Sequence, residues 1–564
     1  MRLLATLLFT LLAGLPWSLP AHAVPLTVIG TNDVHGRVER AAALSGHLKI
    51  LRDKNTAQGG GVVLVDAGDM FQGTLESNLE EGRVIVTAMN HLGYHAAAVG
   101  NHEFDFGPAG SLPVPKTAAD DARGALKARA KEARFPFLVG NILDQATGLP
   151  PNWENFRPAV LVNVAEIPVG VIGLSTMDTP KTTIATNFRG LRMRPLIDSI
   201  AEYARGLRDK GARVIVVTAH AGGRCSDCNH PADLSSCGQD EEIMAVARGL
   251  PRGLVDVIVA GHTHATMAHD VNGIAVVEAW ANGRGFSRVD LDVDAGSGSV
   301  RVAAIHPPRG LCGDNKEDAD ADISACRPAD YEGKRVVIDQ ALLKKIQPAL
   351  RAASRVRHQK LGVQALDQVR RGYDKESALG NLVADLMRAA RPGADVALIN
   401  GGGIRDDLPP GPLTYGRVFS VFPFDNRFVT LKMSGGELRA VLEANLSAKK
   451  GGILHVSGAR ATVRCAGGHA TVVLMRADGK AIADADPLTV VTSDFLVLGG
   501  DEHLEKLGGR PETVFDEGEP VREHLVAELK KRGGSLSDND PTLFDRKAPR
   551  LHQPGVAYAR CSGP

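Results

Sequence analysis

At 564 residues the chain is too long for one hydrophobic core and should divide into domains of a few hundred residues each. Its content, 44% hydrophobic and 23% charged, is that of an ordinary globular protein. The 65 Lys plus Arg balance the 65 Asp plus Glu, and a net charge of zero argues against a general binder of nucleic-acid polymers or anionic membranes.

Arg2, an apolar run over residues 3–15 and Ala21-His22-Ala23 read as an export signal over residues 1–23, with a mature start near Val24. The run is shorter than the roughly 20 residues that a membrane span needs. No cysteine follows the cleavage site to carry lipid, so no stable membrane anchor is expected and the address is the periplasm or the exterior. The seven cysteines, at 225, 228, 237, 312, 326, 465 and 561, sit in Gly-rich or polar surroundings. In an oxidising compartment they should form disulfides, with an odd one free or paired between chains. Cys225-x-x-Cys228 with Cys237 could instead hold zinc, and sequence does not give the connectivity.

Five short apolar runs then end in the same way. Residues 26–29 lead to Asp33-x-His35, 62–65 to Asp66-Ala-Gly-Asp69, 96–99 to Gly-Asn101-His102-Glu103-Phe104-Asp105, 214–217 to His220, and 255–260 to Gly-His262-Thr-His264. Such β-branched runs ending in glycine and polar residues predict buried strands. With helices expected at 82–92 and 196–210 between them, the pattern predicts an α/β layered domain. Ligands in such folds bind beyond the carboxyl ends of the strands, so the five clusters should face one crevice. Seven donors of carboxylate, amide and imidazole type exceed one tetrahedral ion and suit two divalent ions sharing a carboxylate.

The sheet pattern stops near residue 331. Leu342, Ile346, Leu350 and Val356 mark the apolar face of a connecting helix that Pro348 starts or kinks. Beyond it come Leu379-Gly-Asn-Leu, Asn400-Gly-Gly-Gly-Ile-Arg405, Val421-Phe-Pro-Phe424-Asp and Thr492-Ser-Asp-Phe495-Leu-Val-Leu-Gly-Gly-Asp501. The triple glycine lacks the Lys-Ser/Thr of a P-loop.

The order of the first-half motifs resembles the calcineurin-like metallophosphoesterases. The long form Gly-Asn-His-Glu-Phe-Asp, together with the second-half segments, resembles the 5′-nucleotidase family, which includes bacterial periplasmic UDP-sugar hydrolase/5′-nucleotidases. The resemblance implies an α/β fold with a four-layer α/β/β/α catalytic domain over residues 24–335 and a helical linker over 336–362. A smaller α/β substrate-binding domain follows over 363–552, then a tail over 553–564. It implies that Asp33, His35, Asp69 and His264 hold one ion, and that Asp69, Asn101, His220 and His262 hold the other, with Asp69 bridging. His264 stands where relatives often carry Gln or Asn, which leaves zinc, manganese and cobalt open.

By the same resemblance, His102 stabilises charge developing on a phosphoryl group and Asp105 orients its ring; Glu103 and Phe104 have no assigned chemistry and read as structural. Phe424 and Phe495 would sandwich a nucleobase, as aromatic stacking tolerates any base. Asn400 would touch the base, Asp501 the ribose and Arg405 the phosphate. Arg371 and Lys375 are the nearest basic residues to the position where relatives carry another arginine. The expected activity is release of phosphate from nucleoside 5′-monophosphates, and of products from nucleotide di- and triphosphates and UDP-sugars, for nucleotide salvage. The alternatives are a 2′,3′-cyclic nucleotide phosphodiesterase/3′-nucleotidase, a hydrolase of a protein-bound sulfur conjugate, and a nucleotide-binding protein without turnover.

Overall fold

The computed structural model describes residues 23–110, 114–117, 119–294, 296–312, 326–448, 451–500, 503–516, 519–553 and 561. The expected leader, Asp501 and most of the tail lie outside the described residues.

The valine-rich runs build two mixed sheets. In a seven-stranded sheet, β1 (Ala23–Thr31) runs parallel to β2 (Gly61–Asp66), and β2 parallel to β3 (Ala96–Ala98). In a six-stranded sheet, Val214–His220 runs parallel to Ile167–Ser175 on one side and Val257–Ala260 on the other. One core, with Val28, Val65, Val216 and Val259, fills the space between the sheets. A second joins the first sheet to helices Ala41–Ala57 and Arg83–Leu92, and a third joins the other sheet to helices Leu196–Asp209 and Glu242–Gly249. Strands covered on both faces read as continuous apolar runs, which is why the sequence showed them without alternation. The result is the expected four-layer α/β/β/α arrangement.

The element limits differ in detail. The run 255–260 begins its strand at Val257, and the run 214–217 continues to His220, so that His220 ends a strand rather than following one. The helix expected from residue 82 begins at Arg83 because Gly82 is its left-handed cap, at φ 88°.

The connecting helix is Gln340–Arg357, capped by the Asp339 side chain accepting from the Leu342 N–H, with Pro348 inside it. Leu342 and Ile346 pack into the first domain's core, whereas Ala353 and Val356 pack against the second domain's. One apolar face therefore serves two cores. The next strand, Lys360–Ala365, starts inside the span expected to be linker. The second domain is built on a five-stranded sheet containing Val396–Asn400, Phe428–Ser434 and Pro487–Ser493, with an apolar core on each side.

Three disulfides join Cys225 to Cys237, Cys312 to Cys326 and Cys465 to Cys561, and Cys228 is the free thiol. The three-cysteine zinc set is thus not presented by the oxidised chain, since two of its members are bonded to each other. Among the described residues no helix is long and apolar enough to cross a membrane.

Candidate active site

The carboxyl ends of the five strands meet. Asp33, His35 and His264 form one group of donors, and Asp69, His220 and His262 form another, with the ligand atoms of each group within 4.8 Å of one another. In the first, Asp33 Oδ1 lies 3.3 Å from His264 Nε2, and His35 Nε2 lies 3.0 Å from the same nitrogen. In the second, Asp69 Oδ2 is 3.1 Å from His220 Nε2, which is 2.9 Å from Asn101 Oδ1 and 3.2 Å from His262 Nδ1. Asp69 Oδ2 is also 3.8 Å from His35 Nε2, so one carboxylate oxygen faces both groups. The other oxygen, Oδ1, accepts from the His102 backbone N–H at 2.9 Å.

The backbone that presents these side chains is strained. Asp33, His35, Asp69, His262 and His264 all have positive φ, between 48° and 79°, a region that costs non-glycine residues about 1–3 kcal/mol each. Buried polar braces hold them there. Glu103 accepts backbone N–H groups of Asp69, Met70, Phe71 and Gly100, tying the two loops that carry Asp69 and Asn101. Glu278 accepts from Thr263 Oγ1 at 2.7 Å and from the N–H groups of Gly223 and Ala265, tying the turn that carries His262 and His264. Burial pushes both carboxyls up to about 7, helped by the charge of Asp69 at Glu103 and of Asp33 at Glu278. Asn32 donates to Asp33 Oδ2 and to Trp280 O.

Gly100 shows how little room remains, because a Cβ there would lie 2.2 Å from Asp69 Oδ1 and 2.6 Å from Asp69 N. We expect Gly100→Ala to displace Asp69 and lower kcat/KM at least on the order of 10²-fold. Bound metal should fall in parallel, as read by elemental analysis of the dialysed protein. Full metal content with wild-type activity would refute this account of the loop.

The donor set fits divalent ions. His35 and His220 each turn Nδ1 to a backbone carbonyl, Gln72 O at 2.9 Å and Ala67 O at 2.8 Å, which leaves Nε2 facing the crevice. Burial holds His35 down to about 3 and His262 down to about 4, so both imidazoles are neutral donors. Asp33 Oδ1 is buried without a hydrogen-bond partner. At His220, burial opposes charge, but Asp69 outweighs it and lifts the imidazole to about 10. The pocket thus demands positive charge, and a metal ion would meet that demand while displacing the proton.

His102 Nδ1 pairs with Asp105 Oδ2 at 2.5 Å, and Thr183 Oγ1 donates to Asp105 Oδ1 at 2.9 Å. Burial disfavours the imidazolium, but Asp105 and Asp69 together hold its pKa above the ordinary histidine value.

The second domain reaches this centre through Phe424 and Arg405. The Phe424 ring stacks on His102 at 5.8 Å between centroids, and the Arg405 guanidinium lies 5.7 Å from the Phe424 ring centre. Arg405 is within electrostatic reach of Arg371, Asp69 and Asp105. Arg371 donates to Ile404 O at 3.1 Å. Asn400 is buried with its amide against Gly402 and Gly403, and Phe495 lies against the Gly500 backbone and the domain's apolar core. Lys375 is exposed.

Two residues that sequence reading passed over support this junction: Gln72 joins the halves, and Arg522 braces the second-domain loop that Gln72 reaches. Gln72 takes the His35 Nδ1 contact on its carbonyl, and its side chain donates to Pro423 O at 3.2 Å. Arg522, buried, donates to the carbonyls of Phe422, Pro423 and Phe424 and to Asp425 Oδ1 at 2.6 Å, fixing the loop that carries Phe424. Arg522→Met should cost about 2–3 kcal/mol of stability, since it leaves buried carbonyls and a carboxylate without their donor. It should raise KM for substrate more than it lowers kcat, and thermal unfolding with steady-state kinetics would check both; an unchanged KM would detach Arg522 from substrate binding. Of the missed residues, only Glu278 left a trace in sequence, a lone acid in the otherwise apolar strand Ile274–Ala279.

Comparison with known proteins finds relatives across both domains. A family model described as calcineurin-like phosphoesterase matches residues 26–266, and one described as 5′-nucleotidase, C-terminal domain matches residues 359–507. Protein UshA of Escherichia coli (strain K12) is 27% identical over 531 residues, covering 89% of this chain and 90% of UshA. Endonuclease YhcR of Bacillus subtilis (strain 168) is 27% identical over 511 residues, 87% of this chain, but the chain spans only 38% of YhcR. The crystal structure of a 5′-nucleotidase precursor from Thermus thermophilus has a TM-score of 0.67 at 26% identity, over 92% of this chain and 100% of that one.

Proposed function

The chain belongs to the 5′-nucleotidase family of metal-dependent phosphoester hydrolases, and from that premise we propose that it releases phosphate from nucleoside 5′-monophosphates outside the cytoplasm. One observation carries the reading. Two donor groups facing a common carboxylate stand beside the His102–Asp105 pair, and an aromatic ring and an arginine from the second domain close over that pair.

In this reading Asp33, His35, Asp69 and His264 hold one divalent ion and Asp69, Asn101, His220 and His262 the other. The ions supply neutralisation of the phosphoryl oxygens and a nucleophile at neutral pH. The chain's own groups do the rest. His102, whose pKa Asp105 and Asp69 hold above the ordinary histidine value, faces the phosphoryl group and stabilises the charge that grows there. Arg405, with Arg371 behind it, binds phosphate oxygens through its fork of donors. Phe424 offers one face to the base, with Phe495 as the opposite face and Asn400 and Asp501 as polar contacts to base and ribose. Lys375 is a more distant phosphate contact.

Export is supported by the leader-like sequence of residues 1–23 and by the three disulfides. A small nucleotide rather than a polymer is supported by the zero net charge, which lacks the overall basic excess common among general nucleic-acid binders.

The test is phosphate release by the purified protein with AMP, ADP, UDP-glucose, 3′-AMP, 2′,3′-cyclic AMP and a single-stranded oligonucleotide. We expect AMP to be hydrolysed, EDTA to stop the reaction, and Mn²⁺, Zn²⁺ or Co²⁺ to restore it. Exclusive turnover of 2′,3′-cyclic AMP or 3′-AMP would replace the 5′-nucleotidase reading, cleavage of the oligonucleotide alone would make the chain a nuclease, and AMP binding without turnover under every metal would leave a binding protein.

A further inference from the structure

Phosphate chemistry makes no use of a second cluster, on the far edge of the six-stranded sheet. His269, in the edge strand Thr266–Val271, is fully buried, and neither of its ring nitrogens has a hydrogen-bond partner. Each buried polar atom left unpaired costs about 1–3 kcal/mol, so an idle buried imidazole asks for a ligand. Its neighbours supply a candidate set. The sulfurs of Cys225 and Cys237 and a nitrogen of His269 lie within 4.8 Å of one another, and all three residues are buried.

In the oxidised chain these sulfurs are spent on each other. The loop that carries them is also held to the strand independently of that bond. Cys225 N–H donates to Thr266 O at 3.2 Å, Thr266 Oγ1 donates to Cys225 O at 3.4 Å, and Asp270 N–H donates to Pro231 O at 2.8 Å. Opening the disulfide would therefore leave the backbone of the loop beside the strand, with the two sulfurs free to separate around an ion next to His269. The free thiol of Cys228 sits at the same edge, hydrogen-bonded by Thr266 and by the Ala268 backbone.

We propose that Cys225, Cys237 and His269 form a redox-gated metal site, closed as a disulfide and able to take a zinc-class divalent cation once reduced. A thiol reductant opens it: two reductant thiols become one reductant disulfide as the Cys225–Cys237 bond becomes two thiols. The cation then binds both sulfurs as thiolates and one nitrogen of neutral His269, releasing two protons. Cys228 or water completes the tetrahedron. Thiolate and imidazole donors distinguish this site from the carboxylate- and amide-bearing crevice, and the proposal does not depend on the nucleotide reading.

Co²⁺ added to the full chain is the probe, because only thiolate ligands give a near-ultraviolet sulfur-to-cobalt charge-transfer band. After treatment with a phosphine reductant and its removal, the wild type should bind one more cobalt than the oxidised protein and show that band. His269→Gln should weaken this binding at least tenfold while phosphoester hydrolysis stays at the wild-type level, and Cys225→Ser/Cys237→Ser should lose the band. Absence of the band in the reduced wild type, its survival in the double serine variant, or undiminished affinity in His269→Gln would overturn the proposal. If the double variant does not fold, His269→Gln, which keeps both thiols, decides the matter.

Discussion

Asp69→Asn will remove nearly all phosphoester hydrolysis, lowering kcat/KM by a factor on the order of 10³ or more. A single oxygen of this carboxylate, Oδ2, is 3.1 Å from His220 and 3.8 Å from His35, so the substitution weakens both donor groups at once. Each ion held there would contribute several kcal/mol to the transition state, and each 1.36 kcal/mol lost is tenfold in rate. The negative charge that lifts the His220 pKa would go as well, so the pocket would lose part of its demand for cations. Elemental analysis should find fewer than two ions per chain. A variant that keeps two ions and wild-type turnover would remove Asp69 from the centre of the site.

His102→Ala will lower kcat on the order of 10²–10⁴-fold while leaving both ions in place. The two effects separate because the contact between His102 and Asp69 runs through the backbone N–H, which alanine retains. What is lost is the imidazole held by Asp105, which is also the ring on which Phe424 stacks. KM should therefore rise too, though less than kcat falls, since the stacked ring is one contact among several. Loss of metal from His102→Ala would make the residue structural rather than catalytic.

Much of the crevice is legible in the amino-acid order. Each ligand cluster follows a short apolar run, and a strand's end is the place where a parallel sheet exposes polar side chains, so spacing and residue type located the donors. Glu103 was expected to be structural, and it is, as the acceptor of four backbone N–H groups. Strand limits were less legible at His220, where a polar residue continues the ladder because its ring nitrogens find partners inside the site.

The sequence by itself determined the donor types, their order along the chain, a first α/β domain and the connecting helix after it, because periodicity and glycine placement are local properties, whereas the α/β nature of the second domain was implied by family resemblance. Only the tertiary structure decided that five of the seven donor residues adopt left-handed backbone, that Glu278 and Asn32 brace them, that Gln72 ties the metal-facing loop to Pro423, and that Arg522 holds the loop carrying Phe424. It also decided which cysteines pair, and that His269 lies against two of them. Most of these contacts join residues ten to several hundred positions apart, and their energies exist only once packing excludes water, so no local pattern encodes them.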